Sequence, residues 1–139
     1  MTRYLLDTNV VSELRRPRPD PAVLQWFDDA RGAELYLSVL TIGEIRLGIV
    51  RLARRAPDRA GALAAWLDGL ESGYVDRILP VTAAVARRWA QLNAERPLPV
   101  VDALLAATAL EHAATLVTRN ANDLAGVDVP IVDPFSRRA

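Results

Sequence analysis

Residues 97–110 read PLPVVDALLAATAL, and Asp102 is the one charged side chain among them. A helix of this composition is apolar all round, so it has to be covered by other elements rather than laid along a surface. The chain must therefore build a layered core around this segment. The same segment poses a chemical question, because an isolated ionised carboxylate in apolar surroundings is costly unless it is paired, bound to a metal or protonated. Asp102 needs a partner that its own helix does not supply.

The covering elements are legible on either side of it. Short β-branched and leucine-rich runs at residues 3–7 (RYLLD), 35–38, 77–81, 115–118 and 129–133 predict strands. Between them, apolar residues at helical spacing predict helices over residues 8–16, 21–30, 41–54, 58–72, 82–96 and 99–113, with one further turn over 120–125. The RPRPDP run stops the first helix, and Pro21 stands where a first helical residue would. Strands alternating with helices predict an α/β fold, a mostly parallel central sheet covered on both faces. The 139 residues suit one domain over 1–139, with no repeat or linker. The start lacks a signal peptide and no apolar run reaches membrane-spanning length, so a cytoplasmic location is expected.

Composition removes much chemistry. There is no cysteine, so disulfides, thiolate metal sites and a cysteine nucleophile are excluded. All 17 basic residues are arginine, which excludes a P-loop, a Schiff base and phosphatase sites that need lysine. A single histidine, His112, gives no basis for a histidine-rich zinc site or a Ser–His pair, and its place near a helix end suits a surface residue facing the last carbonyls. Seventeen acids balance the arginines, so a nucleic-acid partner would be held by a local patch rather than by an overall positive field.

Carboxylates, hydroxyls, amides and arginines remain. Asp7 ends the first strand, and in DTN any of Asp7, Thr8 and Asn9 suits a helix cap. Thr41 and Glu44 fit a capping box, T-x-x-E, before an apolar helix. In VTRNANDLA, Asn120 could cap the turn that carries Asp123, and Arg119 fits equally a phosphate contact or a salt bridge to a core acid. Taken singly, most of these have structural explanations. Taken together, Asp7, Glu44 and residues 120–123 fall just past strand ends, the edge where open parallel sheets place their sites, and Asp102 lies in the first turns of a helix packed on that sheet. Carboxylates about 4 Å apart repel by several kcal/mol at an effective dielectric near 20. A cation is expected among them, and an all-oxygen donor set without His or Cys selects Mg²⁺ or Mn²⁺.

LLDTNVVSEL, LSVLTIGEIRLGI, VVDALLAATALEHAATLVTRNANDL and the closing VPIVDPF, in that order over residues 4–135, resemble PIN-domain ribonucleases, in particular the VapC toxins of toxin–antitoxin pairs and their FitB-like branch. The resemblance implies a PIN-like three-layer α/β/α sandwich. It implies that Asp7, Glu44 and Asp102 are the family's three acids around a divalent metal, with Thr8 the polar residue beside the first. The family often has a fourth acid directly after TR; here that position is Asn120, a departure that leaves two outcomes open, the charge partly restored by Asp123 three residues on or a second metal held more weakly. The implied activity is Mg²⁺- or Mn²⁺-dependent hydrolysis of RNA, the metal polarising the phosphodiester and activating a water that Glu44 or Asp123 orients. The implied partners are an adjacently encoded antitoxin and a second copy of the chain. Two alternatives stand beside it: a PIN-like binding module weakened catalytically by Asn120 and acting through its partner, and an aspartyl-phosphate phosphatase using Asp7, which lacks both the second acid and the lysine that chemistry needs.

Overall fold

Leu5 and Leu6 are neighbours in sequence, both at most 1% exposed, and they belong to different cores. Successive side chains of a strand point to opposite faces, so a strand with both neighbours buried lies in the middle layer of three. Leu5 packs with Leu105, Ala106, Ala109, Leu116 and Leu124. Leu6 packs with Val10, Leu37, Ile45, Ile49, Leu67 and Val117. Leu116 and Val117 divide between the two cores in the same way.

The computed structural model describes residues 2–135. Its strands are β1 (Arg3–Leu6), β2 (Glu34–Ser38), β3 (Ile78–Leu79), β4 (Thr115–Val117) and β5 (Ile131–Val132). Its helices are α1 (Thr8–Glu13), α2 (Pro21–Asp29), α3 (Val39–Ala53), α4 (Pro57–Gly73), α5 (Ala83–Glu95) and α6 (Val100–Glu111), with short 3₁₀ turns at Val75–Arg77 and Ala121–Leu124. The five strands run in the order β3-β2-β1-β4-β5, every pairing parallel. Helices α5 and α6 pack together over one face, and α1, α3 and α4 supply the core of the other, a three-layer α/β/α sandwich. From β1 the chain first builds outward to β2 and β3, then returns to the other side of β1 with β4. The order reverses between β1 and β4, and the crevice at the carboxyl ends of those two strands is where such sheets bind ligands.

Several boundaries differ from the sequence expectation for local reasons. Helix α3 begins at Val39, because the Ser38 hydroxyl accepts the Leu40 N–H at 3.0 Å and caps it there. Thr41 and Glu44 thus lie inside the helix and form no capping box. Helix α1 stops at Glu13, ahead of the prolines that deny the chain helical geometry. The strand expected over 77–81 shrinks to Ile78–Leu79. His112 is half-buried at the end of α6, its Nε2 buried without a partner among the described residues, rather than on the surface. Among the described residues no helix is long and apolar enough to cross a membrane.

Candidate active site

Asp7 leaves β1 with its backbone N–H donating to Val117 of β4 at 2.9 Å, so it sits on the seam where the strand order reverses. Its backbone is extended and its carboxylate accepts the Thr8 N–H at 2.6 Å, making it the N-cap of α1. The other oxygen accepts the Thr118 hydroxyl at 2.7 Å and the Asn9 amide at 3.4 Å. Only 5% exposed, Asp7 is fixed by three donors and two strands. Capping and a site role therefore coincide at this residue, because the start of a helix supplies N–H groups that orient an anion.

Glu44 approaches from α3. Its Oε1 accepts the Thr8 hydroxyl at 2.5 Å, and Thr8 Oγ1 stands 3.3 Å from that of the buried Thr41. Asp102 approaches from α6. Pro99 is the N-cap of that helix, which places Asp102 in the first turn, half-buried, where the positive end of the helix dipole favours an anion. This is the place in the first turns expected from the sequence, although the carboxylate is half-buried rather than enclosed by the apolar helix. Asp123 is exposed on the 3₁₀ turn after β4, and the Arg96 guanidinium holds that turn by donating to the carbonyls of Asp123, at 2.9 Å, and of Ala125. Asn120 makes no side-chain cap; its backbone N–H donates to Thr118 Oγ1 at 3.0 Å.

The electrostatics join these positions. Burial pushes the Asp7 carboxyl above the usual aspartate range; the Thr118 hydroxyl and the Thr8 N–H oppose this, and the charges of Asp102 and Glu44 add to it. Burial likewise raises Asp102, followed by the charges of Asp123 and Glu44. Asp102 and Glu44 thus act on Asp7, Asp123 and Glu44 act on Asp102, and no arginine is among the groups acting on either aspartate. Arg119 stands nearby but turns away: its guanidinium lies 3.9 Å from Glu13 and 3.7 Å over the Phe135 ring. Its backbone N–H remains at the site, donating to Asn9 Oδ1 at 3.1 Å.

Among the described residues, no three acids stand close enough together to form a ready-made metal cluster. The donor set nevertheless suits a hard divalent cation, since Asp7, Glu44 and Asp102 offer oxygen only and their mutual repulsion is otherwise uncompensated. Magnesium keeps several of its waters and needs only one or two carboxylates directly. Sequence reasoning missed Thr118 and Glu13. Thr118 carried a weak signal, a hydroxyl at the end of an apolar strand; Glu13 carried none that separates it from the many helix-face acids.

The PIN-domain family model matches residues 4–129. The toxin FitB of Neisseria gonorrhoeae is 33% identical over 137 residues, covering 94% of this chain and 97% of that protein. The VapC ribonuclease Y4jK of Sinorhizobium fredii is 33% identical over 137 residues, covering 94% and 96%. The crystal structure of FitAcB from Neisseria gonorrhoeae superimposes with a TM-score of 0.85 at 32% identity, over 95% of this chain and 98% of that one.

Proposed function

Because the chain belongs to the PIN-domain family, we propose that it is a metal-dependent endoribonuclease acting as the toxin of a toxin–antitoxin pair. The reading draws on relatives named a toxin and a VapC ribonuclease. The observation that carries it is that Asp7 and Asp102 are each pushed up by burial and by neighbouring acids, with no arginine acting on either. Repulsive carboxylates gathered at a strand-order reversal are what a catalytic cation site needs and what a purely structural site avoids. Asp7, Asp102 and Glu44 would hold Mg²⁺ or Mn²⁺, which when bound supplies Lewis-acid activation of the phosphodiester and of an attacking water.

The chain's own groups do the orienting. Thr118, Asn9 and the Thr8 N–H fix the Asp7 carboxylate. Thr8 holds one Glu44 oxygen and leaves the other to accept a proton or a water. Asp123, exposed on its turn, would hold a water on the solvent side. RNA is the substrate, and the silencing partner is an adjacently encoded antitoxin, for which the exposed acids Glu44 and Asp123 offer a contact to an arginine of another chain. The chain acts in the cytoplasm, as a homodimer that assembles further with the antitoxin.

The test is single-stranded RNA incubated with purified chain in Mn²⁺, in Mg²⁺ and in EDTA, alongside induction of the chain with and without the product of the neighbouring reading frame. Metal-dependent cleavage, slowed growth and rescue by the neighbour are expected. A chain that cuts nothing in any metal, and whose melting temperature does not move in millimolar Mn²⁺, is the inert binding module instead, since a ligand bound only by the folded state must stabilise it. That second reading is favoured by Asn120 at the fourth acid's position and by the absence of a preformed cluster among the described residues.

A further inference from the structure

Glu13 is a carboxylate that the proposed chemistry does not use, and its side chain is only 5% exposed. One oxygen accepts the Asp20 backbone N–H at 2.8 Å. The other faces two guanidiniums, Arg16 at 3.3 Å and Arg119 at 3.9 Å. A buried carboxylate needs one cation to be neutral; this one has two, so a positive charge is left over. Both arginines remain largely in solvent, 63% and 52% exposed. Each has five N–H donors in a planar fork, and the single Glu13 oxygen occupies few of them. The Arg119 fork is restrained further by the Phe135 ring beneath it at 3.7 Å.

The place of this pair matters as much as its charge. Glu13 ends the helix that Asp7 begins, six residues and so about 9 Å along the axis. Arg119 follows Thr118, whose hydroxyl holds Asp7, and its own N–H holds Asn9. A backbone running from these acids along that helix would meet these two forks next. In a chain of zero net charge, this is a local positive edge beside a negative site, the arrangement that a polyanion with one metal-bound phosphate requires.

We propose that Glu13 is a buried anchor that holds Arg16 and Arg119 as a paired binding site for a phosphate of the RNA strand adjacent to the one cleaved. The inference rests on the ribonuclease reading and deepens it. Arg16 and Arg119 touch the substrate backbone; Glu13 acts through them as a positioning residue.

The test separates charge from positioning. Binding of a short labelled single-stranded RNA is measured by anisotropy in EDTA over a range of salt, and KM and kcat are measured in Mn²⁺. Arg16→Ala and Arg119→Ala should each flatten the plot of log affinity against log salt by about 0.7, the increment for one phosphate contact on a single strand. Each should raise KM roughly tenfold, as loss of an exposed charge-assisted contact does, with the change falling on KM more than on kcat and with melting temperatures close to wild type. Glu13→Gln and Arg119→Lys keep both charges, so they should keep the slope yet still raise KM, because an unanchored guanidinium and an ammonium both lack the held fork. Should Glu13→Gln fail to fold, the two alanine variants and Arg119→Lys decide the matter alone. Wild-type slope and KM in the alanine variants, in a protein that cuts RNA, overturn this inference and leave the ribonuclease reading standing. A wild-type protein that neither binds nor cuts RNA overturns both.

Discussion

Replacing Thr118 with valine keeps the volume and shape of a fully buried side chain and deletes one hydroxyl. That hydroxyl makes two bonds, donating to Asp7 Oδ2 at 2.7 Å and accepting the Asn120 N–H at 3.0 Å. A buried bond to a charged group contributes about 1.5–3 kcal/mol, and a neutral one about 1 kcal/mol. The expected loss at neutral pH is therefore roughly 2–4 kcal/mol, or roughly 6–20 °C in melting temperature for a chain of this size. The loss should depend on pH with a definite sign. The Asp7 carboxyl is raised above its ordinary 3.8 in the folded protein, so its contribution is most favourable below that value and is lost as pH rises through the folded value. Thr118 is the largest influence opposing that rise. Without it the folded value moves further up, and the gap between variant and wild type widens from acid toward neutral pH. Thermal unfolding of the metal-free protein, followed by circular dichroism from pH 4 to 8, measures this, and Thr118→Ser should restore most of the stability. A valine variant that melts with wild type, or a gap that narrows toward neutral pH, refutes the role given to this hydroxyl.

Asp102→Asn should abolish cleavage while leaving the metal-free protein as stable as wild type or more so at neutral pH, since burial and two acids disfavour the ionised form; the stabilisation by Mn²⁺ expected of wild type should shrink or vanish in a thermal melt of the variant. Glu44→Gln can still accept the Thr8 hydroxyl, so its fold should survive while most activity is lost; full activity in this variant would return Glu44 to a structural role. Arg96→Ala releases the carbonyls of Asp123 and Ala125, and should lower kcat several-fold with a melting temperature within a few degrees of wild type, an exposed side chain contributing about 1 kcal/mol or less.

The layered architecture was legible because each strand carries its own signature. Apolar pairs such as Leu5–Leu6 and Leu116–Val117 only make sense between two covered faces. The acids at strand ends were legible by the same logic, since topology tells where a parallel sheet opens. What was not legible was local competition for caps. Ser38 and Thr41 are both good capping residues, and their sequence does not separate them; in the fold β2 runs to Ser38, whose hydroxyl takes the Leu40 N–H. Asp102 is less enclosed than its apolar neighbours suggested because it stands in the first turn of the helix, beside Val100, which is itself exposed. Glu13 was invisible because its two arginines lie three and more than a hundred residues away, and only the folded sheet brings the second to it.

The seam bond from Asp7 to Val117 ties the first acid to the middle of the sheet, whereas Asp123 rides on a short 3₁₀ turn fastened by one buried side chain, Leu124, and one exposed arginine. The two belong to different layers of opening free energy. Amide exchange at Asp7 should require unfolding of the whole chain, while the amides of residues 121–125 should exchange through fluctuations that leave β1 and β4 paired. The acids would then be lost in sequence rather than together on mild destabilisation: the solvent-side carboxylate first, and the inner aspartate only when the protein itself comes apart.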